Sequence, residues 1–116
     1  MNVKRYPEII EKAREAGRKC GYAIAVHGSE MRDLDLIAVP WTDEATDPMT
    51  LVRSISRAIG ALQGPGYWWS DEYISDGEGK DGNPWTEKPH GRRACVLLVA
   101  GGYIDLSVMP RQAPTP

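Results

Sequence analysis

Two aspartates separated by a single leucine, Asp33 and Asp35, open the apolar run DLDLIAV. A third, Asp105, interrupts another apolar run, YIDLSV, near the far end of the chain. Aspartate is a poor strand former, and a carboxylate withdrawn from water without a partner costs several kcal/mol. Side-chain alternation puts Asp33 and Asp35 on one face of a strand with Ile37 and Val39, and turns Leu34, Leu36 and Ala38 to the other. Carboxylates two residues apart on one face can converge on a single ion. Donor sets made only of oxygen suit Mg²⁺ or Mn²⁺. Three such acids could hold one or two ions, and the chemistry would be phosphoryl or nucleotidyl transfer, in which metal neutralises charge and aligns the attacking oxygen. The plainer alternative is that each Asp follows or precedes a turn, caps it and stays hydrated.

Other residues could serve the same chemistry. EKPHGRRA places Lys88, His90, Arg92 and Arg93 close together. Arginine forks match phosphate oxygens, so Lys88 and Arg92 are candidates for binding phosphate or an acidic partner; a solvated loop leading into a strand is the competing reading. Arg92 and Arg93 are adjacent, so at most one of them can face the acids from a strand. His27 could act as base or ligand, but hydrogen bonding to a neighbour is the simpler role. Trp68, Trp69 and Trp85 could stack on a nucleobase, or close a small core as aromatic lids. DGEGKDGN lacks the spacing and final Glu of a calcium loop, and there is no P-loop, GxGxxG or HExxH.

Helices and strands must position these groups. Residues 7 to 20 predict a helix, with Pro7 in the first turn, Glu8 and Glu11 towards its N-terminus and Arg18 and Lys19 towards its end. Gly17 weakens the last turn and Gly21 is a plausible stop. YAIAVH, residues 22 to 27, and residues 33 to 39 predict two strands joined by a short turn, most simply an antiparallel hairpin. Residues 47 to 62 predict a second helix, with Asp47 as N-cap, Pro48 in the first turn and Leu51, Val52, Ile55, Ile59 and Leu62 at helical spacing. Residues 64 to 92 form a long loop rich in Gly, Asp and Trp, with a short strand possible near Tyr73–Ile74. RACVLLVA and YIDLSVM flank Gly101-Gly102 and predict a second hairpin. The expected fold is α+β: a small mixed or antiparallel sheet with the helices packed on one face.

A chain of 116 residues is long enough for one modest core, here expected over residues 1 to 110, with 111 to 116 a flexible proline-rich tail. The net charge of −2 gives no strong nucleic-acid signal. Cys20 and Cys95 form no CxxC pair, no apolar stretch reaches the length of a membrane span, and no apolar leader opens the sequence. These features predict a soluble, cytoplasmic protein without membrane association.

AIAVHGS, DLDLIAV and YIDLSV together resemble the nucleotidyltransferase superfamily, the polymerase-beta-like fold. The resemblance implies that Asp33 and Asp35 hold divalent metal and that Asp105 completes an acidic triad. It implies that Gly28 and Ser29 grip the phosphates of a nucleoside triphosphate. The reaction it implies is attack of a hydroxyl on the α-phosphate, with pyrophosphate leaving. Small members of the superfamily often work with a protein partner or as homo-oligomers. Two further functions stay open: a non-catalytic binding or assembly module of the same fold, and a metal-dependent phosphoesterase using the same acids.

Overall fold

The computed structural model describes residues 6–27, 34–64, 70, 73–75, 84–99 and 102–111. Its elements in chain order are α1 (Tyr6–Lys19), β1 (Tyr22–His27), β2 (Leu34–Pro40), α2 (Pro48–Gly60), β3 (Ile74–Ser75), β4 (Thr86–Glu87), β5 (Arg93–Val99) and β6 (Gly102–Val108). The fold is a small α+β arrangement of a mixed sheet and two helices. The order β1-β2-β6-β5-β3 runs across the sheet, and β4 pairs with β5 alongside β3. Both predicted hairpins form: β1 pairs antiparallel with β2, and β5 with β6. The two hairpins join through β2 and β6, which run parallel.

Each helix is written into its sequence. Asp47 caps α2: its Oδ1 accepts from the Thr50 backbone N–H at 3.0 Å, and its Oδ2 accepts from the Thr50 hydroxyl at 2.7 Å. Those two donors hold the Asp47 carboxyl below its ordinary range, the hydroxyl more strongly. A single 3₁₀ turn, Ala61–Gln63, extends the helix. In α1 the last turn closes through the Cys20 and Gly21 backbone N–H groups, and Gly21 adopts φ 86°. A Cβ on Gly21 would also lie 2.5 Å from Thr42 Oγ1 and 2.8 Å from Ala45 Cα, so only glycine fits there. Gly17, unfavourable for the helix, has a packing reason: a Cβ there would come within 2.5 Å of Ile24 Cγ1. The missing side chain lets α1 lie directly on β1.

One face of the sheet meets both helices. Leu34, Leu36, Ala38, Leu97, Ile104 and Leu106 are fully buried there, against Leu51, Val52 and Ile55 of α2 and Ile9 and Ala13 of α1. Tyr22 closes the α1 end, donating its hydroxyl to the Thr46 carbonyl at 2.7 Å. Trp85 packs partly buried on this core, as a lid; Trp68 and Trp69 lie outside the described residues. The long 64–92 stretch is not uniformly loop, since it contributes β3 and β4 to the edge of β5. No described helix is long and apolar enough to cross a membrane.

Candidate functional site

Parallel pairing of β2 and β6 decides where the acids meet. Asp35 and Asp105 are register partners, side by side on adjacent strands. Their neighbours on the same strands, Leu34, Leu36, Ile104 and Leu106, face the helices, so both carboxylates project from the opposite face. Each is half-buried. His27 is the register partner of Asp35 across β1, and Val96 is the partner of Asp105 across β5. A row His27–Asp35–Asp105–Val96 therefore crosses the sheet on the side away from the helices. Asp33, Gly28 and Ser29 lie outside the described residues. Among the described residues no three His, Cys, Asp or Glu are grouped to hold a metal ion.

The basic residues separate as adjacency requires. Arg93 turns towards Glu87, with Nε 3.4 Å from Oε1. Arg92 faces the acid-bearing side, where its Nη1 donates to Ser107 Oγ at 3.3 Å. Ser107 stands two residues from Asp105 on the same face of β6, about 7 Å along the strand. Lys88 is exposed, and its backbone N–H donates to the Arg92 carbonyl at 2.8 Å. This puts Lys88 at the level of Met109, four residues or about 13 Å beyond Asp105. Arg92 thus joins the face of the acids and Lys88 stands away from them.

The surroundings of the acid row are small and apolar. Ala23 and Ala25 of β1, Ile37 of β2 and Ala94 of β5 share its face. On the other face, Cys95 is buried, and burial, reinforced by the negative charge of Asp105, pushes its thiol up to about 12. Neither cysteine is in a disulfide; Cys20 Sγ donates weakly to Ser54 Oγ at 3.5 Å.

A groove of about 900 Å³ opens elsewhere, at the C-terminal ends of β2 and β6. Val39, Trp41, His90, Met109 and Arg111 contribute to its walls. Trp41 is 78% exposed, and His90 holds a left-handed φ of 68°. Arg111 braces this end by donating to the carbonyls of Asp43 and Ala45. The acids are marked in the sequence by their interruption of apolar runs. Trp41 carries no such mark, being only a tryptophan directly after a strand-ending proline.

No family model, curated protein or solved structure matches this chain.

Proposed function

We propose that this chain is a minimal nucleotidyltransferase-like protein whose acid-bearing sheet face binds a divalent cation and a nucleoside triphosphate. The observation that carries the reading is the register pairing of Asp35 with Asp105 on adjacent parallel strands. Two carboxylates at neighbouring positions on one half-buried face make an oxygen-only donor pair, the chemistry that a hard cation such as Mg²⁺ or Mn²⁺ prefers. Asp35 and Asp105 would hold it, and by the resemblance Asp33 joins them as the third acid. The ion, when bound, supplies charge neutralisation at the phosphates. Arg92, fixed to Ser107 on the same face, offers a guanidinium to a phosphate oxygen. By the resemblance, Gly28 and Ser29 supply further phosphate contacts, and the reaction is nucleotidyl transfer to a hydroxyl acceptor.

A second reading has an observation of its own. On the same face as Asp35 and Asp105, Val39, Leu98 and Tyr103 are each about 40% exposed. Exposed apolar groups beside paired carboxylates support a non-catalytic module of the same fold, in which this face serves recognition of a partner.

Thermal unfolding separates the two. A ligand that binds only the folded chain adds about 2.7 kcal/mol at a hundredfold excess over its Kd. Catalytic binding predicts a rise in Tm that needs both Mn²⁺ or Mg²⁺ and a nucleoside triphosphate, and that disappears in Asp35→Asn. No shift with any combination would remove the nucleotidyl-transfer reading and leave the recognition module. A shift with metal alone, together with hydrolysis of a phosphate ester, would favour a phosphoesterase.

A further inference from the structure

The outer flank of α1 carries a charge pattern that is complementary to itself. Glu8, Lys12, Glu15 and Lys19 alternate in sign at spacings of four, three and four residues. At 3.6 residues per turn they form one stripe along the helix. Glu8, Lys12 and Lys19 are exposed and Glu15 is half-buried. Lys12, Glu15 and Lys19 also form one wall of a groove of about 550 Å³, with Arg57 and Ala58 of α2 on the other wall. Ala16 of α1 and Ala58 of α2, both small, line the same groove, and small residues at the contact allow a further helix to approach within about 8–10 Å between axes.

Reversing the stripe exchanges its signs. An antiparallel copy of α1 sets Glu8 against Lys19 and Lys12 against Glu15, and each pair recurs by symmetry. This is the condition for a two-fold interface, in which one patch meets itself. A parallel copy in register would set like charge on like. The stripe itself carries two acids and two bases, so it is neutral as a whole and complementary to its own reverse.

We propose that this chain forms a two-fold dimer through antiparallel packing of α1 along Glu8, Lys12, Glu15 and Lys19. The proposal is independent of the nucleotidyl-transfer reading, because α1 lies on the opposite side of the sheet from Asp35 and Asp105. The same charges can also pair within one helix, as Lys12 and Glu15 do at 3.5 Å, and the test must separate these roles.

Sedimentation equilibrium of the full chain at low ionic strength, over a range of concentrations, reads the assembly. The expected mass is twice the 12.8 kDa of one chain. Glu8→Lys/Glu15→Lys makes the stripe wholly positive, and Lys12→Glu/Lys19→Glu makes it wholly negative. Each variant alone is expected to be monomeric, and an equimolar mixture to recover a heterodimer. The single change Lys19→Glu, milder for folding, should weaken the wild-type dimer at least tenfold in Kd, because it reverses both Glu8–Lys19 pairs. Circular dichroism confirms that each variant is folded. A wild-type chain that stays monomeric overturns the proposal, as does a dimer that survives in both swapped variants. Folded swapped variants that fail to associate when mixed overturn it too, and assign the charges to pairs within one helix.

Discussion

The two faces of the sheet, built from the same strands, are under opposite demands. Towards the helices, β2, β5 and β6 present a nearly fully buried set of aliphatic residues and one cysteine: Leu34, Leu36, Ala38, Cys95, Leu97, Ile104, Leu106 and Val108. Away from the helices, the intervening positions carry Asp35, Asp105 and Ser107, with Val39, Leu98 and Tyr103 each about 40% exposed. The first face stabilises by removing apolar area from water; the second places polar groups where apolar ones would have been more stable. A strand whose period of two separates these roles lets one face change chemistry while the other keeps the fold. Substitutions on neighbouring residues of one strand test that division directly.

The largest effect is expected at Leu106, fully buried in β6 and next in sequence to Asp105. Leu106→Ala removes its side chain from the core and should cost about 2–5 kcal/mol, depending on how far the site collapses. Urea unfolding followed by circular dichroism measures it. A loss below about 1 kcal/mol would mean that the helix-facing side is not the packed core described here.

Gly17→Ala probes the same face from the helix side. In an exposed helix this change gains about 0.5–1 kcal/mol. Here the new Cβ would stand 2.5 Å from Ile24 Cγ1 and 3.3 Å from the Tyr22 carbonyl oxygen. Overpacking of that kind costs about 1–3 kcal/mol, so a net loss in Tm is expected. A gain would show that α1 can lift from β1 without penalty.

Asp47→Ala leaves both faces intact and removes the cap of α2. The expected loss is about 1 kcal/mol. Because the folded state depresses the Asp47 carboxyl below its unfolded value, its contribution is present above the ordinary aspartate range and fades as pH falls through the folded value. The difference in stability between wild type and Asp47→Ala should therefore shrink in acid. A difference that stays constant into strong acid would assign the loss to the hydroxyl and backbone geometry rather than the carboxylate charge.

Much of this architecture is legible in the sequence because its signals are local. The Asp47-Pro48 start of α2, the apolar spacing that follows, and the Gly-Gly signal between the apolar runs of β5 and β6 each act within a few residues. So does the interruption of apolar runs by Asp35 and Asp105, which marks both as anomalous. Their adjacency is not legible. They lie 70 positions apart, and parallel pairing of β2 with β6 carries no turn signal to announce it. Two-residue strands are too short to show a period, so within the 64–92 stretch the sequence suggests a strand only near Tyr73–Ile74, where β3 forms at Ile74–Ser75, and gives no sign of Thr86–Glu87. Gly17 illustrates the same limit: local propensity marks it as a weakness in α1, while its purpose lies on a neighbouring strand.

Asp35→Asn is expected to have the smallest effect on stability and therefore sharpens the comparison most. The substitution keeps the size of the side chain on a half-buried position and removes one of two like charges that face each other across β2 and β6. Like charges directly opposite in a sheet are destabilising, by up to about 1 kcal/mol, so Tm should hold steady or rise. In the same experiment, any stabilisation by Mn²⁺ should vanish, because the donor pair has lost an anionic oxygen. A fall in Tm without metal would mean that Asp35 is held by the fold rather than kept for a ligand, and the two faces of the sheet would then differ in polarity but not in purpose.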